Sequence, residues 1–95
     1  MTHTTPVAIL VSGHLRTCSG SAPRLDLAAA TVREVLAVLE REHAPLHRAV
    51  CEETGVVRRH IGVFVNASHI RDLDGLDTVL APGDVVTFLP AVSGG

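Results

Sequence analysis

The sequence predicts one α+β domain, a mixed sheet of four to five strands with one main helix packed on one face. Three observations predict it. Two strongly apolar strand segments stand near the ends of the chain, Val7–Val11 and Val85–Leu89. A capped amphipathic helix begins at Thr31, and further short strand patterns flank it on both sides. A chain of 95 residues is the common size for a single core. With 46% hydrophobic and 19% charged residues it can bury one and is not disordered. That core is aliphatic, because Phe64 and Phe88 are the only aromatic residues. The domain is read as residues 1–89, followed by a flexible tail over 90–95.

Val7-Ala8-Ile9-Leu10-Val11 is a continuous run rich in branched residues, as in a central strand buried on both faces. Ser12 and Gly13 break it, and the segment to Pro23 is polar and turn-like. Arg24-Leu25-Asp26-Leu27 alternates polar and apolar, the pattern of a half-buried second strand. Thr31 is an N-cap residue type with Glu34 three positions later, a capping-box pattern. Val32, Val35, Leu36 and Leu39 then recur at helical spacing, and Pro45 is expected to end the helix near His43. Between Leu46 and Arg59 the pattern is weak, with another helical turn suggested by Leu46, Ala49 and Val50.

Ile61–Val65 reads as a third strand, Asn66-Ala67-Ser68 as a turn, and His69-Ile70-Arg71 as a brief fourth strand. Asp72–Thr78 reads as a loop feeding an apolar anchor of Leu76, Val79 and Leu80. Pro82-Gly83 suits the two central positions of a type II turn. The final strand, Val85–Leu89, is expected to end at Pro90, which lacks a backbone donor. The two most apolar strands belong side by side in the middle of the sheet. That is the layout of a ubiquitin-like β-grasp roll.

Composition excludes several function classes. The formal charge is −2, all eight basic residues are arginine, and aromatic residues are 2%, so the basic footprint and stacking rings of a nucleic-acid binder are missing. The apolar run at Val7–Val11 is too short for a signal core or a membrane span. The chain therefore reads as cytoplasmic, with Cys18 and Cys51 reduced and outside any C-x-x-C or zinc spacing. A nucleophilic cysteine needs a lowered pKa and a base held close, and nothing local supplies these to either. Six histidines suggest a metal site, but they are scattered. His43 and His47 have helical ligand spacing, yet Pro45 between them argues against a regular helix. Solvated or capping histidines are the preferred reading, and no metal ligand is assigned. Arg58-Arg59-His60 is a small basic cluster suited to an acidic partner or to a solvated strand entrance.

What remains is the carboxyl-terminal Gly94-Gly95. Two glycines in two given positions arise by chance in roughly one chain in two hundred, at a usage of about 7% each. A frayed end or a cloning scar is the bland alternative, but this pair follows directly on a strand and a proline, with no tag-like spacer. Five residues beyond Pro90 reach roughly 17 Å, enough to enter another protein's cleft. Glycine has no Cβ, so it passes a narrow channel and leaves the terminal carbon open to attack. An α-carboxyl group ionises at about pH 3.3–3.7 and is an anion at neutral pH. It can attack the α-phosphorus of ATP to give an acyl-adenylate with loss of pyrophosphate. A sulfur nucleophile then displaces AMP and leaves a thiocarboxylate.

The stretch from His60 to Gly95 resembles the ThiS/MoaD group of ubiquitin-like sulfur carriers. The most specific part is Leu80-Ala81-Pro82-Gly83-Asp84-Val85-Val86-Thr87-Phe88-Leu89-Pro90-Ala91-Val92-Ser93-Gly94-Gly95: a Gly-Asp turn, an apolar strand, a proline and a terminal Gly-Gly. Val65-Asn66 fits the place of the group's Val-Asn-Gly, with Ala67 replacing the glycine. Leu15-Arg16 with Gly20, the Val65–Arg71 segment and Leu89–Val92 look closest to the mycobacterial-type carrier of cysteine biosynthesis. The aromatic-Ala-Arg pattern common in molybdopterin synthase small subunits is missing.

The resemblance implies that this chain is not itself an enzyme and binds no cofactor. An activating enzyme of the ThiF/MoeB type would adenylate Gly95, and the thiocarboxylate would serve a PLP-dependent synthase of the cysteine synthase type. A zinc metalloprotease would release the product amino acid. ATP, PLP and zinc would all belong to partners. Similar carriers also serve sulfur-containing natural products.

Strand alternation adds a surface. If Val86 and Phe88 face the helix, Thr87 and Leu89 face outward beside Gly62 and Phe64. Phe64 and Leu89, with the arm Pro90, Ala91, Val92 and Ser93, are therefore the expected partner contacts. Three other readings stay open: a molybdopterin synthase small subunit, a modifier joined to lysines of other proteins, and an interaction module whose tail does no chemistry.

Overall fold

The computed structural model describes residues 5–11 and 24–90. Strand β1 runs Pro6–Val11 and β2 runs Arg24–Ala28. Helix α1 covers Val32–Glu42 and α2 Ala44–Val50. Then come β3 (Ile61–Val65), β4 (Ser68–His69), two 3-10 turns (Ile70–Asp72 and Gly75–Asp77) and β5 (Val85–Pro90). The five strands form one mixed sheet in the order β2-β1-β5-β3-β4. The two most apolar strands are indeed central neighbours, and they run parallel, with Ile9 opposite Val86 and Val11 opposite Phe88. A parallel pair cannot be joined by a tight hairpin, and here the whole middle of the chain forms the crossover.

Helix α1 packs its Val32, Val35, Leu36 and Leu39 stripe onto the sheet, where it meets Ile9, Val63, Val86 and Phe88. Its start follows the capping pattern with one change. The Glu34 N–H donates to Thr31 Oγ1 at 3.2 Å, but Glu34 Oε1 accepts from the Ala30 N–H at 3.0 Å, one residue upstream of the usual partner. Glu34 thus ties the first turn of the helix to the segment leading into it, through its backbone N–H and its carboxylate.

Pro45 does not simply stop the helical region. It sits in the first turn of α2, where its missing N–H has no intrahelical partner to lose, and the His47 N–H donates to the His43 carbonyl at 3.0 Å. His43 and His47 are therefore on a helical turn after all. Leu46 and Val50 of α2 are fully buried and close one end of the core.

Four other expectations change. Leu10 of β1 is 38% exposed, because the helices cover only one face of the sheet, so this strand is not buried on both sides. The fourth strand is Ser68–His69, and Ile70-Arg71 turns into a 3-10 helix, held by the His69 Nδ1 accepting from the Arg71 N–H at 3.1 Å. Val79 is no anchor. Its backbone bridges Thr31 while its side chain is 74% exposed, and the buried residues there are Leu80 and Thr78. Last, β5 extends one residue further than expected and takes Pro90 out of the tail, opposite Ile61. The Asn66 N–H donates to Val85 O, which by antiparallel alternation makes Gly62–Leu89 a hydrogen-bonded pair and Ile61–Pro90 a non-bonded one. A proline there costs the ladder nothing.

Candidate partner-docking site

The face of the sheet opposite the helices carries the site. Alternation along β5 sends Val86 and Phe88 fully into the core and turns Thr87 and Leu89 outward, with Leu89 40% exposed. Gly62 stands opposite Leu89 and Phe64 opposite Thr87. From the other side, Leu10 of β1 lies opposite Thr87. An apolar row thus crosses three strands from Leu10 through Thr87 to Phe64, with Leu89 one step nearer the end of the chain.

Gly62 shapes this surface. A Cβ there would lie 3.1 Å from Phe64 Cε1, so the missing methyl group leaves the place into which the ring leans. The Phe64 ring is also braced from β4, where His69 meets it edge-on with centroids 5.0 Å apart and planes 70° from each other. Since His69 Nδ1 accepts the Arg71 N–H, the imidazole is held from both sides. Together with Leu89 and Pro90 these residues enclose a shallow groove of about 390 Å³, rimmed by Arg59 and Arg71.

The turns that present β5 are tightly specified. Gly83 has φ of 87° and the Asp84 N–H donates to Ala81 O at 3.0 Å, the arrangement of a type II turn over Ala81–Asp84. Asp84 Oδ2 also accepts the Ala81 N–H at 2.9 Å. In the β3–β4 hairpin it is Asn66, with φ of 55°, that adopts the left-handed conformation, and Ala67 does not need to. The Asn66 side chain then bridges to the start of β5, donating to Asp84 Oδ1 at 3.2 Å and accepting from the Val85 N–H at 3.1 Å. Replacement of glycine by Ala67 is accommodated because the positive φ falls one residue earlier.

Of the residues expected to act, Phe64, Leu89 and Pro90 come together on this face. Ala91, Val92, Ser93, Gly94 and Gly95 lie outside the described residues, as do Cys18, His3 and His14. Reading the sequence missed Leu10, hidden inside a uniformly apolar run, and the part played by Gly62 and His69 in posing Phe64. Cys51 is buried, and burial pushes its thiol up, against the opposite pull of Arg58 and with a further rise from Glu40. That is the reverse of what a nucleophile requires. Among the described residues no group of three or more His, Cys, Asp or Glu is arranged to hold a metal ion. No described helix is long and apolar enough to cross a membrane.

A five-stranded mixed sheet with parallel central strands and one main helix packed across it defines a ubiquitin-like β-grasp protein. The chain belongs to the ThiS family, whose model matches residues 9–95. It is 30% identical over 91 residues to the sulfur carrier protein CysO of Mycobacterium tuberculosis, covering 94% of this chain and 98% of the relative. It is 41% identical over 66 residues to small archaeal modifier protein 3 of Haloferax volcanii, covering 70% of this chain and 71% of the relative. Among solved structures, small archaeal modifier protein 1 of Methanosarcina acetivorans superposes with a TM-score of 0.87 at 30% identity, covering 99% of this chain and all of the other. A chain of the Amycolatopsis orientalis BexX/CysO complex gives 0.82 at 34% identity, covering 94% and 99%. By name these relatives are sulfur carriers and small modifiers.

Proposed function

We propose that this chain is a sulfur carrier whose Gly95 carboxyl group is adenylated by an activating enzyme and converted to a thiocarboxylate. The observation that carries the reading is the extent of the family match, which runs through Gly94 and Gly95. The geometry of β5 supports it: this central strand brings Pro90 to the rim of the outer groove, so that an arm starting there and the Phe64–Leu89 surface can meet one partner together. The carboxylate oxygen attacks the α-phosphorus of ATP and pyrophosphate leaves. A sulfide sulfur then attacks the carbonyl carbon of the acyl-adenylate and AMP leaves, so the carbon keeps its oxidation state throughout.

The chain supplies no catalytic group for these steps and acts as a protein co-substrate in the cytoplasm. ATP is bound by a ThiF/MoeB-type activating enzyme. The acceptor is a synthase, PLP-dependent if the pathway leads to cysteine, and a zinc metalloprotease then frees the product. Similarity to a CysO protein across nearly the whole chain favours cysteine biosynthesis, while the CysO chain of the BexX complex keeps other acceptor enzymes in view. Intact-mass measurement after incubation with ATP, the activating enzyme and sulfide tests the proposal. A gain of about 16 Da, oxygen replaced by sulfur, is the expected result of acyl substitution. No gain, with an enzyme active on another carrier, overturns it.

The similarity to small archaeal modifier protein 3 favours a second reading, attachment through Gly95 to lysines of other proteins. This chain has no lysine and so cannot build lysine-linked polymers of itself. Lysines of other proteins joined by an isopeptide bond to the tryptic fragment Asp72–Gly95 of this chain in lysates would establish that role.

A further inference from the structure

Around the corner from the apolar face, the edge of β3 is open. Strand β4 pairs only with Phe64 and Val65, because the chain dips into the 3-10 turn at Ile70, whose side chain is buried. The Ile61–Val63 stretch of β3 therefore has β5 on one side and no strand neighbour on the other among the described residues; the Ile61 N–H is taken by the Arg58 carbonyl at 3.0 Å, so Val63 is the open position of the edge. Along this edge runs a groove of about 550 Å³ into which Arg33, the adjacent Arg58 and Arg59, and Arg71 converge from three separate segments. Its floor is apolar, with Val63, Ile70 and Leu76 at its base, and no acidic residue lines it.

Among the described residues, only one of the four charges is paired within the chain. All ten acidic residues of the chain are among those described, yet Arg59 and Arg71 make no ion pair with any of them. Arg33 pairs with Asp77 at 3.0 Å in an exposed contact, and Arg58 is turned onto the Arg48 carbonyl at 3.2 Å. Half of the chain's eight basic residues thus crowd one groove of a protein whose net charge is −2. Mutual repulsion makes that arrangement unfavourable unless an anionic partner relieves it. An open strand edge with an apolar trough beside it accepts extended backbone, and flanking arginines select carboxylates.

We propose that this groove docks an extended, acidic segment of a partner protein, laid along the β3 edge with apolar side chains in the trough and carboxylates at Arg59 and Arg71. The inference holds whether or not Gly95 is activated, since it uses neither the tail nor Leu89. Charged side chains also guard free edges against self-pairing, which is the plainest alternative.

The test is a titration of the full chain, followed by amide chemical shifts, with a synthetic peptide of about ten residues alternating valine and glutamate. Two controls run beside it: the same peptide with lysine for glutamate, and decauridylate. The expected result is shifts at Val63, Arg71 and Leu76 with the glutamate peptide alone, weakening as salt screens the charges. The double variant R59E/R71E should bind at least about tenfold more weakly while L89D binds normally. Both arginines are exposed, and an unchanged Phe88 signal would certify the fold. Equal binding of the lysine peptide, tighter binding of decauridylate, or shifts centred on Leu10 and Leu89 would overturn the proposal. So would silence at about 1 mM peptide, a concentration that reveals even weak contacts. Self-association of R59S/R71S without peptide binding would leave edge protection as the whole role of the cluster.

Discussion

The two faces of the sheet are made by the same strands and differ in almost every physical respect. On the inner face Ile9, Val63, Val86 and Phe88 are at most 1% exposed and interlock with α1. On the outer face Leu10 and Leu89 keep 38% and 40% of their surface in water, and Phe64 is propped up by a histidine instead of being sunk in a core. Burial stabilises the first set by about 1.5–3 kcal/mol per large side chain. The second set forgoes much of that. A contiguous apolar row left in water on a small protein is best accounted for as a contact site. The comparison teaches that stability and recognition are separated here by nothing more than the period-two alternation of a strand.

That separation can be broken deliberately. The largest effect should come from Phe88→Ala, which empties the centre of the core. A loss of about 3–5 kcal/mol is expected in chemical denaturation, enough to unfold much of a domain this small. Asn66→Ala should cost about 1–3 kcal/mol by the same measurement, since it removes the left-handed residue and leaves the Val85 N–H without its side-chain acceptor. Leu89→Asp, on the outer face of the same strand as Phe88, should change stability by no more than about 0.5 kcal/mol. It should nevertheless abolish formation of the adenylate in a pyrophosphate-release assay. Unfolding by L89D would mean the two faces are not independent.

The smallest effect sharpens the inner face. Cys51 keeps its proton to higher pH when folded than when unfolded, because burial raises its pKa. The folded state then binds more protons in that window, so stability is intact below the thiol's ordinary value of 9.0 and declines as pH rises through it. Denaturant midpoints measured across this range should fall for the native chain and stay flatter for Cys51→Ala.

How much of this could be read from the residues depended on the range of the interactions. The elements with long, clean periodicity, α1 and strands β1, β3 and β5, were legible, as was the placement of Phe64 and Leu89 together on the outer face. Helix α2 was obscured because Pro45 carries opposite meanings at the end of one helix and the start of the next, and sequence does not say which applies. His69-Ile70-Arg71 is too short for alternation to separate strand from 3-10 turn. The exposure of Leu10 was masked by apolar neighbours on both sides. The arginine groove was beyond local reasoning altogether, since only Arg58 and Arg59 are adjacent and the fold imports Arg33 and Arg71 from elsewhere. Sequence flagged the basic pair but could not see its company.

The position of β5 also bears on how the chain is made. It is the last of the described elements to be synthesised, yet it lies at the centre of the sheet, wedged between the first strand and the third. Until it emerges, β1 and β3 have no common partner and Phe88 is missing from the core. Closure of the fold thus waits until this strand has been made, and its pairing of Ala8 with Val85 joins residues far apart in sequence, which slows the search. A chain cut short before this strand would have no folded body on which to carry a tail.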